Sequence, residues 1–142
     1  MADTTPAAFD PTPRQVSCVL NMIAGETILA GNVVSFASTG VDDTVWNALS
    51  SIGNPVGVAL YGATAGQKVA VATAGSVLKV REGAGSDILA GAGLMTYTVA
   101  GTVVGSTVAA DAQTIGFAFG KIAANSTGYA VIDGAAFVGK GA

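Results

Sequence analysis

The residues able to do chemistry in this chain are few and scattered. Cys18 is the one cysteine, and histidine is absent. A single chain of this kind cannot build a Cys/His zinc site. It cannot build a Ser-His-Asp or Cys-His nucleophile either. An intrachain disulfide is also excluded, so cysteine usage does not reveal the redox compartment. Cys18 falls in an alternation of Val16, Cys18, Leu20 and Met22, with Ser17 and Asn21 opposite. It therefore reads as a small core hydrophobe on a one-sided strand rather than a reactive thiol, which would need a neighbouring cation. Glu26, Asp87, Asp111 and Asp133 stand apart, and no pair has the spacing of a general acid and base.

The remaining motifs also fall short. Gly53-Asn54-Pro55-Val56-Gly57 and Gly83-Ala84-Gly85-Ser86-Asp87 are glycine-rich, but neither matches a phosphate-cradling pattern, so both read as turns. Lys68 sits in a hairpin-like Gly66-Gln67-Lys68-Val69-Ala70-Val71, yet lacks the Met or Asp/Ala neighbours of a biotinyl or lipoyl lysine. Asn125-Ser126-Thr127 fits the glycosylation sequon without a secretion signal beside it. Trp46, Tyr61, Tyr97 and Tyr129 lack the interleaved basic residues of a base-stacking platform. No catalytic residue, cofactor site or metal site is expected, and the chain is not expected to be an enzyme.

The elements that would position any site are strands. The 142 residues include 18 Val against 7 Leu, and 20 Gly spread as punctuation. β-Branched residues between frequent turns predict an all-β domain. Strand-like runs cover Val56–Tyr61, Gln67–Thr73, Val77–Glu82, Leu94–Ala100, Thr114–Phe119, Gly128–Asp133 and Ala136–Val138. Alternation puts Ile115, Phe117 and Phe119 on one buried face. Val77, Lys79 and Arg81 share the other face of their strand, where cations discourage edge pairing. One short helix is expected over Asp42–Pro55: an Asp cap, Val45, Leu49 and Ile52 at helical spacing with Trp46 beside them, then Gly53 and Pro55 as terminators.

Only 11% of residues are charged and mean hydropathy is +0.59, against about 25% charged in an ordinary soluble domain. Such a chain either enters a membrane or hides surface against other protein. Ile88–Ala110 runs 23 residues without a charge. Its four glycines, five Ser/Thr and β-branched bulk suit strands better than a spanning helix. A net charge of −3 and a pI near 4.5 argue against nucleic acid. Residues 1–15, holding Pro6, Pro11 and Pro13, read as an extended arm, with 16–142 the β domain. The N-terminus shows no signal-peptide pattern.

The chain also resembles itself. Ile28-Leu29-Ala30-Gly31 recurs as Ile88-Leu89-Ala90-Gly91, Gly57-Val58-Ala59 as Gly116-Phe117-Ala118, and Val69-Ala70-Val71 lines up with Tyr129-Ala130-Val131, at offsets of 59 or 60. Repeat-like halves span about 26–82 and 86–139, and two such β-units predict a pseudo-symmetric small barrel or sandwich.

The succession Ala30-Gly31-Asn32-Val33-Val34, Asn54-Pro55-Val56-Gly57-Val58-Ala59-Leu60, Ala65-Gly66-Gln67-Lys68-Val69-Ala70-Val71 and Gly75-Ser76-Val77 resembles the capsid decoration (cement) proteins of tailed bacteriophages. Its nearest likeness is to those of long-tailed phages of thermophilic bacteria. The resemblance implies a small β-barrel or β-tulip domain and no enzymatic activity. It implies a homotrimer on the outer surface of the virion, made in the host cytoplasm. The trimer would clamp neighbouring major-capsid subunits, with no nucleic-acid or membrane partner. Pro6, Phe9, Pro11, Pro13 and Arg14 would then form an interacting arm, with Trp46 as a further contact residue. The alternative is another self-assembling structural subunit, of tail-tube, pilus or surface-layer type.

Overall fold

The computed structural model describes residues 13–36, 43–49, 54–105 and 114–133. Ten strands follow in order: β1 (Val19–Ala24), β2 (Val33–Phe36), β3 (Thr44–Asn47), β4 (Asn54–Ala59), β5 (Lys68–Ala72), β6 (Val77–Arg81), β7 (Gly93–Thr96), β8 (Val103–Gly105), β9 (Thr114–Ala118) and β10 (Thr127–Ile132). Among the described residues there is no helix. The fold is all-β, as the Val and Gly content predicts.

The first five strands close into a barrel in the order β1-β3-β2-β4-β5, with β5 returning to β1. β1 and β3 run parallel, and the other pairs are antiparallel. Alternate residues point inward, so Met22, Val34, Val45, Val56, Val69 and Val71 fill the interior. Burying each such side chain contributes about 1.5–3 kcal/mol over leaving it wet.

The second five strands repeat this wiring in the order β6-β10-β9-β7-β8. A single parallel bridge, Glu82 to Val103, brings β8 back beside the end of β6. Many of the hydrogen bonds recur in both units. Gly31 N–H donates to Ala59 and Gly91 N–H to Ala118, both at 2.8 Å. Leu60 N–H donates to Ala70 and Phe119 N–H to Tyr129, both at 2.9 Å. Gly25 N–H donates to Val45 and Gly83 N–H to Val103. Offsets run from 58 (Gly25 to Gly83) through 59 (Ala59 to Ala118) to 60 (Gly31 to Gly91). Tyr129 therefore answers Ala70, and the sequence alignment of Tyr129 with Val69 slips by one residue.

Both units carry the same bulge. The register shifts between Val34 and Ser35 opposite β4, and between Leu94 and Met95 opposite β9. Beside each shift stands a glycine, Gly57 or Gly116, against the neighbouring strand. A Cβ there would collide with the carbonyl oxygen of Ala72 or of Val131.

The units share one core. Val33, Val58 and Ala72 face outward from the first barrel, yet they belong to the cluster that holds Leu78, Ile115 and Ile132 of the second. Val33 N–H donates to Gly101 and Gly101 N–H to Ala48, tying the units through the backbone at 3.0 Å.

Three expectations are corrected. The helix over 42–55 is replaced by β3 across Thr44–Asn47 and by β4 from Asn54. Val45 points into the barrel and pairs with Ala24 and Phe36, so its spacing to Leu49 was a coincidence of sequence. Cys18 is exposed rather than core, and so are Val16 and Leu20. Inward alternation on β1 starts only at Met22, because β1 pairs with β5 from Val19 but with β3 only from Ile23, so its first residues are covered on one side only. Phe117 and Phe119 are exposed while Ile115 is buried. The bulge adds Ile115 as an extra residue and reverses the alternation there. Ala136–Val138 lies outside the described residues.

Candidate interaction surface

The outer face of the second unit carries its exposed aromatics. Gly93, Phe117 and Val131 form one cross-strand row over β7, β9 and β10, continued by Val77 on β6. Phe119 lies beside Tyr129, which pairs with Lys79. Phe119 is 52% exposed. The opposite side of the same strands presents Ala118, Ala130 and Leu78 to the core.

The N-terminal segment crosses this face. Arg14 N–H donates to Val77 at 2.8 Å, and Gln15 bridges the same residue. The side chains of Gln15 and Ser17 both bond the Gly75 carbonyl, at 3.0 Å each. So held, the Arg14 guanidinium lies 4.7 Å from the Tyr129 ring centre and 5.4 Å from that of Phe119. The Lys79 ammonium lies 5.7 Å from Tyr129. Cations over aromatic faces are attracted by about 0.5–1 kcal/mol at exposed sites. The result is an apolar surface rimmed by positive charge, a composition suited to protein contact.

The candidate arm residues are placed unequally. Arg14 belongs to this surface, and Pro13 is exposed next to it. Pro6, Phe9 and Pro11 lie outside the described residues. Trp46 stands on the first barrel, half-buried, with its indole packed where a Cβ on Gly25 would sit. Sequence reading put Lys79 on an outward strand face but missed Phe117, Phe119 and Tyr129 as its neighbours there. The available signal was the small side of β9: Gly116 and Ala118 fit a close-packed interior, and the two Phe do not.

Acidic groups serve the scaffold. Glu82 is fully buried, and its carboxylate accepts backbone N–H groups from Ala84 (2.7 Å), Gly85 (2.9 Å), Ser86 (3.4 Å) and Asn125 (2.8 Å). It pins the loop after β6 to the turn before β10. Asp87 accepts from Ala124 N–H at 2.9 Å and pairs with Lys121 at 3.2 Å. The Ala124 hydrogen bond, then Lys121, holds its carboxyl below the usual carboxylate value. On the first barrel Glu26 accepts from the backbone and side chain of Asn47, and Asn47 accepts from Asn32 at 2.8 Å. Among the described residues no three His, Cys, Asp or Glu side chains gather to hold a metal. No described helix is long and apolar enough to cross a membrane.

The sequence matches no known protein family and no curated protein. Its fold is similar to that of the head fiber gp8.5 N base of bacteriophage phi29, at a TM-score of 0.58 and 22% identity. The likeness covers 82% of this chain and 93% of that one.

Proposed function

We propose that this chain is a virion structural protein that sits on the outside of a phage head as a homotrimer and clamps neighbouring major-capsid subunits. The observation that carries the reading is the fold shared with nearly the whole of a phage head fiber base. The apolar face rimmed by Arg14 and Lys79 supports a role in contact rather than catalysis. Low charge fits a protein whose surface is covered in its working state. Many copies on one lattice act multivalently, so each contact can be modest.

The test mixes purified chain with expanded and with unexpanded heads and pellets the heads. Saturable binding to expanded heads, with greater resistance to heat or chelator, is the expected result. A chain that stays in the supernatant with both would overturn the proposal. Open-ended filaments on sedimentation would favour the tail-tube, pilus or surface-layer alternative.

A further inference from the structure

The two units have equivalent surfaces, but only half of those surfaces are covered within the chain. The outer row Val33, Val58 and Ala72 of the first barrel is fully buried in the shared core. Its counterpart on the second unit is Gly93, Phe117 and Val131, the same row of the same three strands. That row is less covered, with Phe117 38% exposed and Gly93 and Val131 half-buried. The converse holds at the barrel ends. Leu78 and Thr96 of the second unit are fully buried. Their counterparts on the first barrel, Leu20 and Phe36, are 41% and 39% exposed. Leu20 pairs with Val71 as Leu78 pairs with Ala130, and Phe36 pairs with Val45 as Thr96 pairs with Val103.

Inside the chain, the outer row of the first unit shares a core cluster with Leu78 of the second and bonds Gly101, which precedes β8 at that end as Asp43 precedes β3 on the first barrel. One outer face and one end are left over, and each exposes large apolar side chains, Phe117 and Phe119 on the face and Leu20 and Phe36 at the end. We propose that the Phe117 face docks on the Leu20–Phe36 end of a second copy of this chain, repeating between chains the contact its two units make within one. Continuity with the internal interface selects a second copy as occupant. Charge agrees: Arg14 and Lys79 rim the donating face, and exposed Asp43 stands at the accepting end, where its carbonyl receives Ile23 N–H. The contact is heterologous, so it closes into a ring if the rotation allows and extends if it does not.

This deepens the self-assembly in the proposed function and rests on that reading only for the premise that copies associate. Its test contains no heads, so failure to bind heads leaves it intact. Phe117→Asp spoils the donating face and Leu20→Asp the accepting end. Light scattering should show wild type assembling and each variant alone at least about 30-fold weaker, as for a central contact residue. Mixing the two variants restores one good face against one good end, so heterodimers form and go no further. Leu20→Asp assembling like wild type, or a mixture that does not pair, would overturn the proposal. So would a wild type that stays monomeric while Phe117→Asp lowers its melting temperature, since the chain's own residues would then cover the face. Circular dichroism checks folding. If either Asp variant unfolds, Phe119→Ser and Phe36→Ser replace the pair and are read the same way.

Discussion

The Glu82 carboxylate offers the sharpest test of how the second unit is held together. Replacing it by Gln keeps the shape and removes one acceptor oxygen. Oε1 receives Gly85 and Asn125 N–H, and Oε2 receives Ala84 and Ser86. In either flip of the amide, an NH2 group therefore faces two backbone donors. Hydrogen bonds to a charged group are worth about 1.5–3 kcal/mol each, but these amides sit in a loop that water can reach after a small movement. A net loss of about 2–4 kcal/mol follows, which for a chain of this size lowers the melting temperature by roughly 6–16 °C. Thermal unfolding by circular dichroism at neutral pH measures the shift. Hydrogen exchange at the Gly85 and Asn125 amides should speed up in the variant before the global melt. A Glu82→Gln protein melting within about 2 °C of wild type would refute the reasoning.

Three further outcomes are expected. Gly57→Ala and Gly116→Ala each force a methyl into the carbonyl of Ala72 or Val131, so each should cost at least about 3 kcal/mol in denaturant titration, and a loss under about 1 kcal/mol would show that the strands can part there. Ser35→Ala should be neutral or stabilise by up to about 1 kcal/mol, because its buried hydroxyl makes no hydrogen bond among the described residues, and a clear destabilisation would reveal a partner. Asp87 is held below its ordinary value of 3.8, so it supports the fold fully above that pH and loses its effect as pH falls through the lower folded value. The stability gap between wild type and Asp87→Asn should therefore be constant near neutrality and close in acid; a gap that persists at pH 2 would contradict the assignment.

The strand-rich class and most strand positions were legible, because Val-rich runs between glycines carry their own period. The repeat showed in part, through Ile28-Leu29-Ala30-Gly31 and its second copy, but halves of about 26–82 and 86–139 leave β1 out and place β6 in the first, whereas β6 opens the second unit. What escaped has definite physical causes. Thr44–Asn47 gains its strand conformation from pairing with β1 and β2, contacts remote in sequence, while Val45, Leu49 and Ile52 also satisfied a helical period. The outward turn of Phe117 depends on a bulge whose signal is one glycine meeting a distant carbonyl. Leu20 and Cys18 obey the alternation but overrun the end of the barrel. Glu82 reads as the last residue of a strand, and nothing local announces that four amides converge on it. Of the candidate surface, the sequence offered Arg14 and the outward-facing Lys79, but not the rings beside them, because cross-strand pairing chooses those.

The shared core also sets an order of events at synthesis. The first barrel closes only when β5 pairs with β1, joining Val19 to Ala72. Closure across so long a loop is slow compared with local turns. Once closed, that barrel still shows Val33, Val58 and Ala72 to water, because their cover has yet to leave the ribosome. Only the few residues between Ala72 and Val77 separate the finished barrel from the first strand of its cover. A short tether keeps that cover at high local concentration. The nascent chain thus brings Leu78 beside its apolar face first, and Ile115 and Ile132 complete the cover only as the last strands emerge.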